Sequence, residues 1–228
     1  MGARPVAAFD AAYFGVRHAH GFKGLGGVDV DLHWFLFQGD CDPGMDDAVW
    51  AAARPLTWRG ASAVAPDPAD HLLLLLAHGS RWSPTPPVRW VADAVTLLRT
   101  EHAVRWERVV AGARARGLTL LTADMLAYLE RRFAVGVPGE ALRDLHAAPI
   151  TSRERRAYRL RVSPPGIATG IEELRYLRSR HRALVRSGPA AAVPAFPAFV
   201  RHILGAASLA QVGRYAALEA LRRARLGR

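Results

Sequence analysis

The residues best suited to chemistry lie together in one short segment near the N-terminus. Asp29, Asp31 and His33 alternate with valine and leucine over residues 28–33, and such alternation is typical of a β-strand with one polar and one apolar face. Carboxylates two residues apart on a strand lie roughly 6 to 7 Å from each other, close enough to bracket a divalent ion. Oxygen ligands of this kind suit Mg²⁺, whose remaining ligands are usually waters and substrate phosphates. A half-exposed strand with a polar outer face would produce the same pattern, so both interpretations stay open.

Two further interpretations of this segment are possible. If His18 and His20 lie on an adjoining strand, they would join the aspartates and His33 in a mixed site suited to zinc or manganese and a hydrolytic water. Alternatively, Gly26 and Gly27 form a glycine turn that leads into an Asp-x-Asp strand, although the glycines are closer to the aspartates than is usual.

The elements that must position the aspartates are a hairpin and the segments after it. Glycines at residues 24–27 predict a turn, with a pairing strand at residues 17–22. The strand that carries the aspartates extends to residue 37, and its apolar side chains face away from them. A short helix near residues 47–54 and a strand at residues 56–59 follow.

From residue 66 onward the hydrophobic periodicity is helical. Asp67 is suited to cap the first helix, with Pro68 at its first position. Thr151 and Glu154 have the spacing of a capping box for a later helix. Helices are predicted at residues 67–78, 86–98, 106–116, 118–133, 138–146, from 151, and at 171–186, 197–204 and 208–225.

The sequence therefore predicts an α+β fold. A small antiparallel or mixed β-containing region at residues 1–63 precedes a helical domain at residues 64–228. The chain of 228 residues is half hydrophobic, which suffices for one good-sized core or two small ones. The only cysteine, Cys41, rules out a disulfide framework and fits a cytoplasmic protein. The most apolar run, residues 72–77, is too short to cross a bilayer, so no membrane partner is expected.

The formal net charge of +11 raises the possibility of a nucleic-acid partner. Lys23 is the only lysine, so nearly all of the positive charge is arginine, in a chain that is also rich in alanine, glycine and proline. This bias is typical of a high-GC genome. Charge alone therefore favours solvated arginine-rich helix faces over nucleic-acid binding, which stays an alternative.

The sequence V-D-L-H-W at residues 30–34 resembles the (I/V)-D-L-H-W strand of a bacterial family of uncharacterised nucleotidyltransferases, related in fold to polymerase-β-type enzymes. Residues 66–79 resemble the leucine-rich helix of that family, and residues 88–93 resemble its tryptophan-containing helix with an internal aspartate. Residues 106–133 resemble its next helix pair. The resemblance covers about residues 15–140. The order and spacing of these motifs together make it specific.

The resemblance implies metal-dependent transfer of a nucleoside monophosphate from a nucleoside triphosphate to an acceptor. In such folds carboxylates on neighbouring strands hold Mg²⁺ against the triphosphate while the acceptor attacks the α-phosphorus. Asp31 falls at the position of the third carboxylate, and Asp29 is the candidate for a further metal ligand. For His78 and Asp93, a buried hydrogen bond between helices is the competing explanation. The candidates for contacts with the substrate are His33, Trp34, His78, Arg81 and Asp93.

The sequence departs from the family pattern upstream of this strand. A Gly-Ser turn and an Asp-x-Asp strand are expected there, but Asp10 is the only acidic residue before Asp29. The chain is therefore expected to be weakly active or inactive alone, unless Asp29 substitutes or a partner chain completes the site. A truncated gene, a split gene and a reduced descendant are the alternative explanations.

Two other functional classes stay open: a non-catalytic binding module that kept the fold, and an arginine-rich nucleic-acid binder. Magnesium-dependent binding of a nucleoside triphosphate that Asp31→Ala abolishes would indicate the transferase. Binding that weakens with rising salt and does not depend on Asp31 would indicate the nucleic-acid binder.

Overall fold

The computed structural model has two small antiparallel sheets followed by a series of helices, which confirms the predicted α+β fold. The structure describes residues 4–5, 14, 17–24, 28–37, 44–80, 88–100, 104–163, 167–187, 193–204, 206, 208 and 210–211. The chain forms two compact units: residues 1–46 with residues 165–228, and residues 47–164. This division differs from the predicted boundary after residue 63, which falls within the second unit.

The elements in chain order are β1 (Arg4–Pro5), β2 (Ala19–Lys23), β3 (Asp29–His33), α1 (Asp47–Ala51), β4 (Arg54–Trp58), β5 (Ala61–Ala65), α2 (Pro68–Gly79), α3 (Arg89–Thr100), α4 (Trp106–Arg116), α5 (Thr119–Phe133), α6 (Gly139–Ala147), α7 (Ser152–Val162), α8 (Ile167–Ser187) and α9 (Phe196–Leu204). The predicted helices between residues 67 and 147 match α2 to α6 closely. The predicted start of α3 at residues 86–87 and most of the predicted helix at 208–225 lie outside the described residues.

The sheet of the first unit has the strand order β1-β2-β3, with antiparallel pairing throughout. This pairing confirms the predicted hairpin. The predicted glycine turn is described only at its edges, because Gly26 and Gly27 lie outside the described residues. At its start the Gly24 N–H donates to the Val28 carbonyl at 2.7 Å. A side chain at residue 24 would overlap that carbonyl, so only glycine fits.

The apolar side chains of β3 are not buried by the described part of the chain. Val28, Val30 and Leu32 are 62%, 46% and 55% exposed. The alternation therefore predicted the strand but not the burial of its apolar face. The strand is also shorter than predicted, because it ends at His33 and residues 34–37 form bends.

The bends after β3 are held by hydrogen bonding and packing. The Leu36 N–H donates to the buried Asp46 carboxylate at 2.8 Å. Phe35 packs against a small core formed by α8 and α9. The buried residues of that core are Leu177, Leu184, Phe199 and Val200.

The second unit begins with α1 and the hairpin β4–β5. Its strands pair antiparallel from Arg54 opposite Ala65 to Trp58 opposite Ala61. The two turn residues, Arg59 and Gly60, both have positive φ angles, 48° and 82°, as in the tight turns that match strand twist. A strand near β4 is predicted from the sequence, whereas β5 is not.

The helices α2 to α6 form the main core of the second unit, around side chains that are almost fully buried. Along α5 the apolar side chains Leu121, Met125 and Leu129 are buried, and Phe133 at the end of the helix is 36% exposed. On α3 the buried residues are Ala94, Leu97 and Leu98. Val88, directly before α3, is 76% exposed.

A buried carboxylate fixes the start of α2. Asp67 is 2% exposed, and its Oδ1 accepts from the Ala69 N–H at 3.0 Å, which confirms the predicted cap. Its Oδ2 lies 2.9 Å from Arg105 and 3.2 Å from Arg54. Burial raises the pKa of the Asp67 carboxyl, but the Ala69 N–H and the two guanidinium groups outweigh burial and hold the pKa below its ordinary value.

A second buried carboxylate lies one turn into α2. Asp70 is 4% exposed, and its Oδ2 lies 2.7 Å from Nη2 of Arg108 on α4. The same guanidinium group donates to the Ala48 carbonyl of α1 at 2.7 Å. Ion pairs to Asp67 and Asp70 thus connect α1, β4 and α4 to the first turn of α2.

Glu154 joins two helices instead of closing its own capping box. The Thr151 hydroxyl accepts from the Glu154 N–H at 3.1 Å, as predicted. The Glu154 side chain is 5% exposed, and it accepts from the Leu120 N–H of α5 at 3.0 Å. The acid of the capping motif therefore satisfies the start of a different helix.

Among the described residues, no helix has the length and apolarity needed to span a bilayer.

The buried Asp67 carboxylate makes the second unit sensitive to acid. We expect Asp67→Asn, which keeps an oxygen for the cap, to lower the free energy of unfolding by about 1–3 kcal/mol at pH 7. Because the pKa is lowered by folding, this contribution is present above the ordinary pKa of about 4 and is lost as pH falls through the folded value. Urea denaturation at pH 7 and at pH 3 measures the difference from the wild type.

The matched control for that experiment is Asp93→Asn, since Asp93 is exposed and should change stability by about 0.5 kcal/mol or less. A stability difference for Asp67→Asn that stays constant or grows toward pH 3 would contradict the ion-pair assignment.

The helix-joining contact of Glu154 gives a second prediction. Glu154→Ala leaves the Leu120 N–H without its acceptor, so we expect a loss of about 1–3 kcal/mol in the free energy of unfolding. Glu154→Gln keeps an acceptor oxygen and should lose less than half as much. Urea denaturation of both variants, with exposed Glu140→Ala as the control, checks the order. Equal losses for Ala and Gln would show that the hydrogen bond is unimportant.

Candidate functional site

The polar face of β3 combines acidic residues with small neighbours. In the register of β2 and β3, Asp31 lies opposite Gly21, and Lys23 lies opposite Asp29. Directly opposed residues of an antiparallel pair project to the same side of the sheet. The side chains that share this face are Asp29, Asp31, His33, Lys23 and Ala19.

Asp29 is already paired. Its Oδ2 lies 2.8 Å from Nζ of Lys23, and both side chains are 67% exposed. A solvent-exposed pair of this kind contributes about 0–1 kcal/mol. It nevertheless places the only lysine of the chain against one of the two candidate metal ligands. A metal ion at Asp29 would have to displace or repel this ammonium group.

Asp31 is open, in contrast to Asp29. Its side chain is exposed, and it makes no hydrogen bond or ion pair with any residue that the structure describes. Gly21 opposite it has no side chain, so the space across the strand beside the carboxylate is not covered from that position. The Asp31 carboxylate can therefore bind a cation or accept a hydrogen bond from a ligand.

His33 and His20, the histidines of the hairpin strands, lie on different faces of the sheet. The His33 ring shares the face of Asp31 and meets the His18 ring edge-on, with centroids 5.2 Å apart. His20 lies opposite Leu32, is 6% exposed, and packs edge-on against the Phe22 ring at 5.3 Å. Since cross-strand neighbours share a face, His20 points away from Asp31. The structure therefore does not form the mixed histidine–aspartate site.

Trp34 has a structural contact. Its indole N–H donates to the Phe14 carbonyl at 3.0 Å, and its ring lies 4.7 Å from the Phe14 ring, centroid to centroid. The polar group of the indole is thus occupied within the first unit, and the ring is packed against Phe14.

The other sequence-predicted contacts lie in the second unit. His78 and Asp93 are both exposed, and Asp93 forms no hydrogen bond or ion pair with a described residue. The expected buried hydrogen bond between them is therefore not formed. Arg81 lies outside the described residues.

A close contact of α2 with α3 adjoins His78. A Cβ atom on Gly79 would overlap the side chain of Trp90, so the glycine lets the tryptophan approach the end of α2 closely. The carbonyl of Ala77 also accepts from Arg161 of α7 at 2.9 Å. The end of α2 is thus fixed by contacts that the sequence alone did not indicate.

The described residues offer an incomplete set of metal ligands. They contain no group of three or more histidine, cysteine, aspartate or glutamate side chains placed to hold a metal ion. Asp31 fits one ligand position of Mg²⁺, which is often held by one or two carboxylates together with waters and phosphates. The buried acids Asp67 and Asp70 do not fit, because their oxygens are occupied by arginines and by an N–H group.

Comparison with known proteins supplies the class. The described residues form an α+β protein in which the strand that carries Asp29 and Asp31 precedes most of the helices in the chain. A family model described as an uncharacterised nucleotidyltransferase matches residues 3–134. The match covers more than half of the chain, so this protein belongs to that family of uncharacterised nucleotidyltransferases. The matched region ends one residue after α5. No curated protein and no solved structure matches the chain.

Proposed function

We propose that this chain takes part in magnesium-dependent transfer of a nucleoside monophosphate from a nucleoside triphosphate to an acceptor. In this proposal Asp31 is the residue of the chain that binds the magnesium ion. The single observation that carries the proposal is the open carboxylate of Asp31 on β3. It stands in the V-D-L-H-W segment, which lies within the region matched by the family model.

The chemistry explains why an open carboxylate matters. In nucleotidyl transfer, charge on the phosphate oxygens must be neutralised while the attacking group and the leaving pyrophosphate are aligned. When bound, Mg²⁺ supplies that neutralisation. Asp31 would hold the ion from the strand, and Gly21 leaves room for the phosphates beside it.

Lys23 and His33 have supporting roles in this proposal. Lys23 neutralises Asp29, so the face carries one uncompensated negative charge at Asp31 instead of two. That arrangement limits repulsion of the incoming triphosphate. His33 lies on the same face two residues further along β3, and its ring, set edge-on to His18, would border the bound substrate.

The site needs further ligands to be fully active. We propose that they come from another polypeptide. On this view the isolated chain binds a magnesium–triphosphate complex but transfers the nucleotide slowly.

Loss of the open carboxylate should weaken triphosphate binding. We expect Asp31→Ala to raise the Kd for ATP in 5 mM Mg²⁺ by about tenfold to 100-fold, since a charge-assisted contact is worth about 1.5–3 kcal/mol. Isothermal titration calorimetry with and without EDTA measures this change. Asp29→Ala is the matched control, because Asp29 is already paired with Lys23, and it should change Kd by less than about threefold. Binding that is equal in EDTA, or equally weakened by both variants, would refute the role of Asp31.

Covering the carboxylate from the opposite strand should have a similar effect. Gly21→Val places a side chain about 5 Å from that of Asp31 across the pair, and valine is well suited to a strand. We expect Kd to rise by about tenfold while the circular dichroism spectrum is unchanged. Unaltered binding would mean that the triphosphate does not approach over Gly21.

A non-catalytic binding module is the second candidate, and one observation favours it: only Asp31 among the two acids of β3 is open. Release of pyrophosphate from ATP distinguishes the two. Magnesium-dependent binding without detectable pyrophosphate, in the presence of varied acceptors, would support the binding module.

A further inference from the structure

One face of α8 carries a row of arginines. Arg175, Arg178, Arg182 and Arg186 follow each other at intervals of three or four residues, so they lie on one side of the helix. All four are exposed, whereas Leu177 and Leu184 on the opposite side are buried against α9. We call the four arginines the α8 arginine stripe.

Arginines of the second unit mostly have structural partners. Some neutralise buried acids, as Arg105 and Arg108 do. Others donate to carbonyl groups at or beyond helix ends, as Arg99 does to Phe133 and Arg114 does to Asp144. For these residues a high arginine content has an explanation within the fold.

Three arginines of the stripe, Arg178, Arg182 and Arg186, differ from those of the second unit. Arg182 and Arg186 form no hydrogen bond or ion pair with any residue described by the structure. The Arg178 guanidinium lies over the Phe196 ring, 5.6 Å from its centroid, a contact that orders the side chain but leaves its charge unneutralised. Among the side chains described on α8, the only acidic one is Glu173. Within residues 173–186, whose side chains the structure describes, this face is therefore positively charged.

The spacing of the stripe suits a chain of phosphates. From Arg175 to Arg186 the helix rises about 16 Å, at 1.5 Å per residue. A nucleic-acid strand in a duplex carries one phosphate per roughly 3.4 Å of axis, so about five phosphates span the same length. Guanidinium groups match phosphate oxygens in a planar, bidentate geometry. We propose that the α8 arginine stripe binds the phosphate backbone of a nucleic acid.

A membrane surface fits this face less well. Helices that lie in a membrane interface place large apolar side chains on the contacting side. On α8, Leu177 and Leu184 opposite the stripe are already used in the core. Among its described residues this leaves only Leu174 and Val185 as exposed large apolar side chains, against four exposed arginines. Anionic vesicles are therefore a competing ligand for the experiment and not part of the proposal. The proposal also stands independently of nucleotidyl transfer at Asp31.

The test is fluorescence anisotropy with a labelled 20-nucleotide RNA and with a DNA duplex of matching sequence, from 50 to 300 mM salt. The variant Arg178→Gln/Arg182→Gln/Arg186→Gln removes three charges from the stripe. The control Arg131→Gln/Arg132→Gln/Arg143→Gln removes three charges from exposed positions on α5 and α6. Both variants have the same net charge, so a difference in their affinity for nucleic acid depends on where the charges were removed.

We expect the stripe variant to bind on the order of 100-fold more weakly at 100 mM salt. Its slope of log K against log salt should be smaller by about 2 to 3, since each phosphate contact contributes roughly 0.7 to 0.9. The control should stay within about threefold of the wild type. Circular dichroism establishes that each variant is folded. Arg182→Lys alone, which keeps the positive charge, should bind more tightly than the stripe variant.

Three outcomes would overturn the proposal: no binding of either nucleic acid by the wild type, equal losses in the stripe and control variants, or stripe-dependent binding to vesicles of phosphatidylserine with none to nucleic acid. Asp31→Ala separates this proposal from the proposed function, because it should leave anisotropy unchanged while it weakens binding of the triphosphate. A preference between RNA and duplex DNA identifies the natural source of the phosphates.

Discussion

The structure of the second unit depends on two carboxylates that are almost excluded from water. A buried charge without a partner is costly, so the guanidinium groups that reach Asp67 and Asp70 cannot move far from them. Since these groups come from β4 and α4, the positions of a strand and a helix are set by the first turn of α2. Arg108 adds α1 through the Ala48 carbonyl. One end of α2 thus gives the unit its arrangement, and the leucines further along the helix complete its core.

The same residue type serves opposite purposes in the two units. Asp67 has a lowered pKa and occupied oxygens, and it is therefore saturated as a ligand. Asp31 is exposed, and no described residue neutralises it, so its oxygens remain available. A shifted pKa often marks a functional site, but here it marks the acid that holds the fold together. Availability of the carboxylate oxygens distinguishes the acid proposed to act on a substrate.

The sequence predicted what local signals encode. Asp67 followed by Pro68 defined the start of α2. The end predicted for α4 at residue 116 is the observed one, and Gly117 after it has a left-handed backbone. The segment V-D-L-H-W pointed to the family that the model match established. The strand β5 was missed because its sequence, A-S-A-V-A, has little β propensity and pairs through its neighbour β4.

Long-range partners were beyond the reach of sequence patterns. The capping motif at Thr151 was recognised, yet nothing local indicated that Glu154 would accept from a helix more than thirty residues earlier. The sequence shows that Lys23 is the only lysine, but its pairing with Asp29 follows from the register of the hairpin. The exposure of the apolar face of β3 was likewise unpredictable, because alternation specifies the faces of a strand and not what covers them.

The position of Lys23 has a practical consequence. As the only lysine in the chain, it offers the only side-chain amine to acylating reagents, and it lies on the same face of the hairpin as Asp31. A dye attached there would report directly on whatever approaches that face. A lysine-specific protease would cut the polypeptide once, between β2 and β3, and so separate the two strands that form the site.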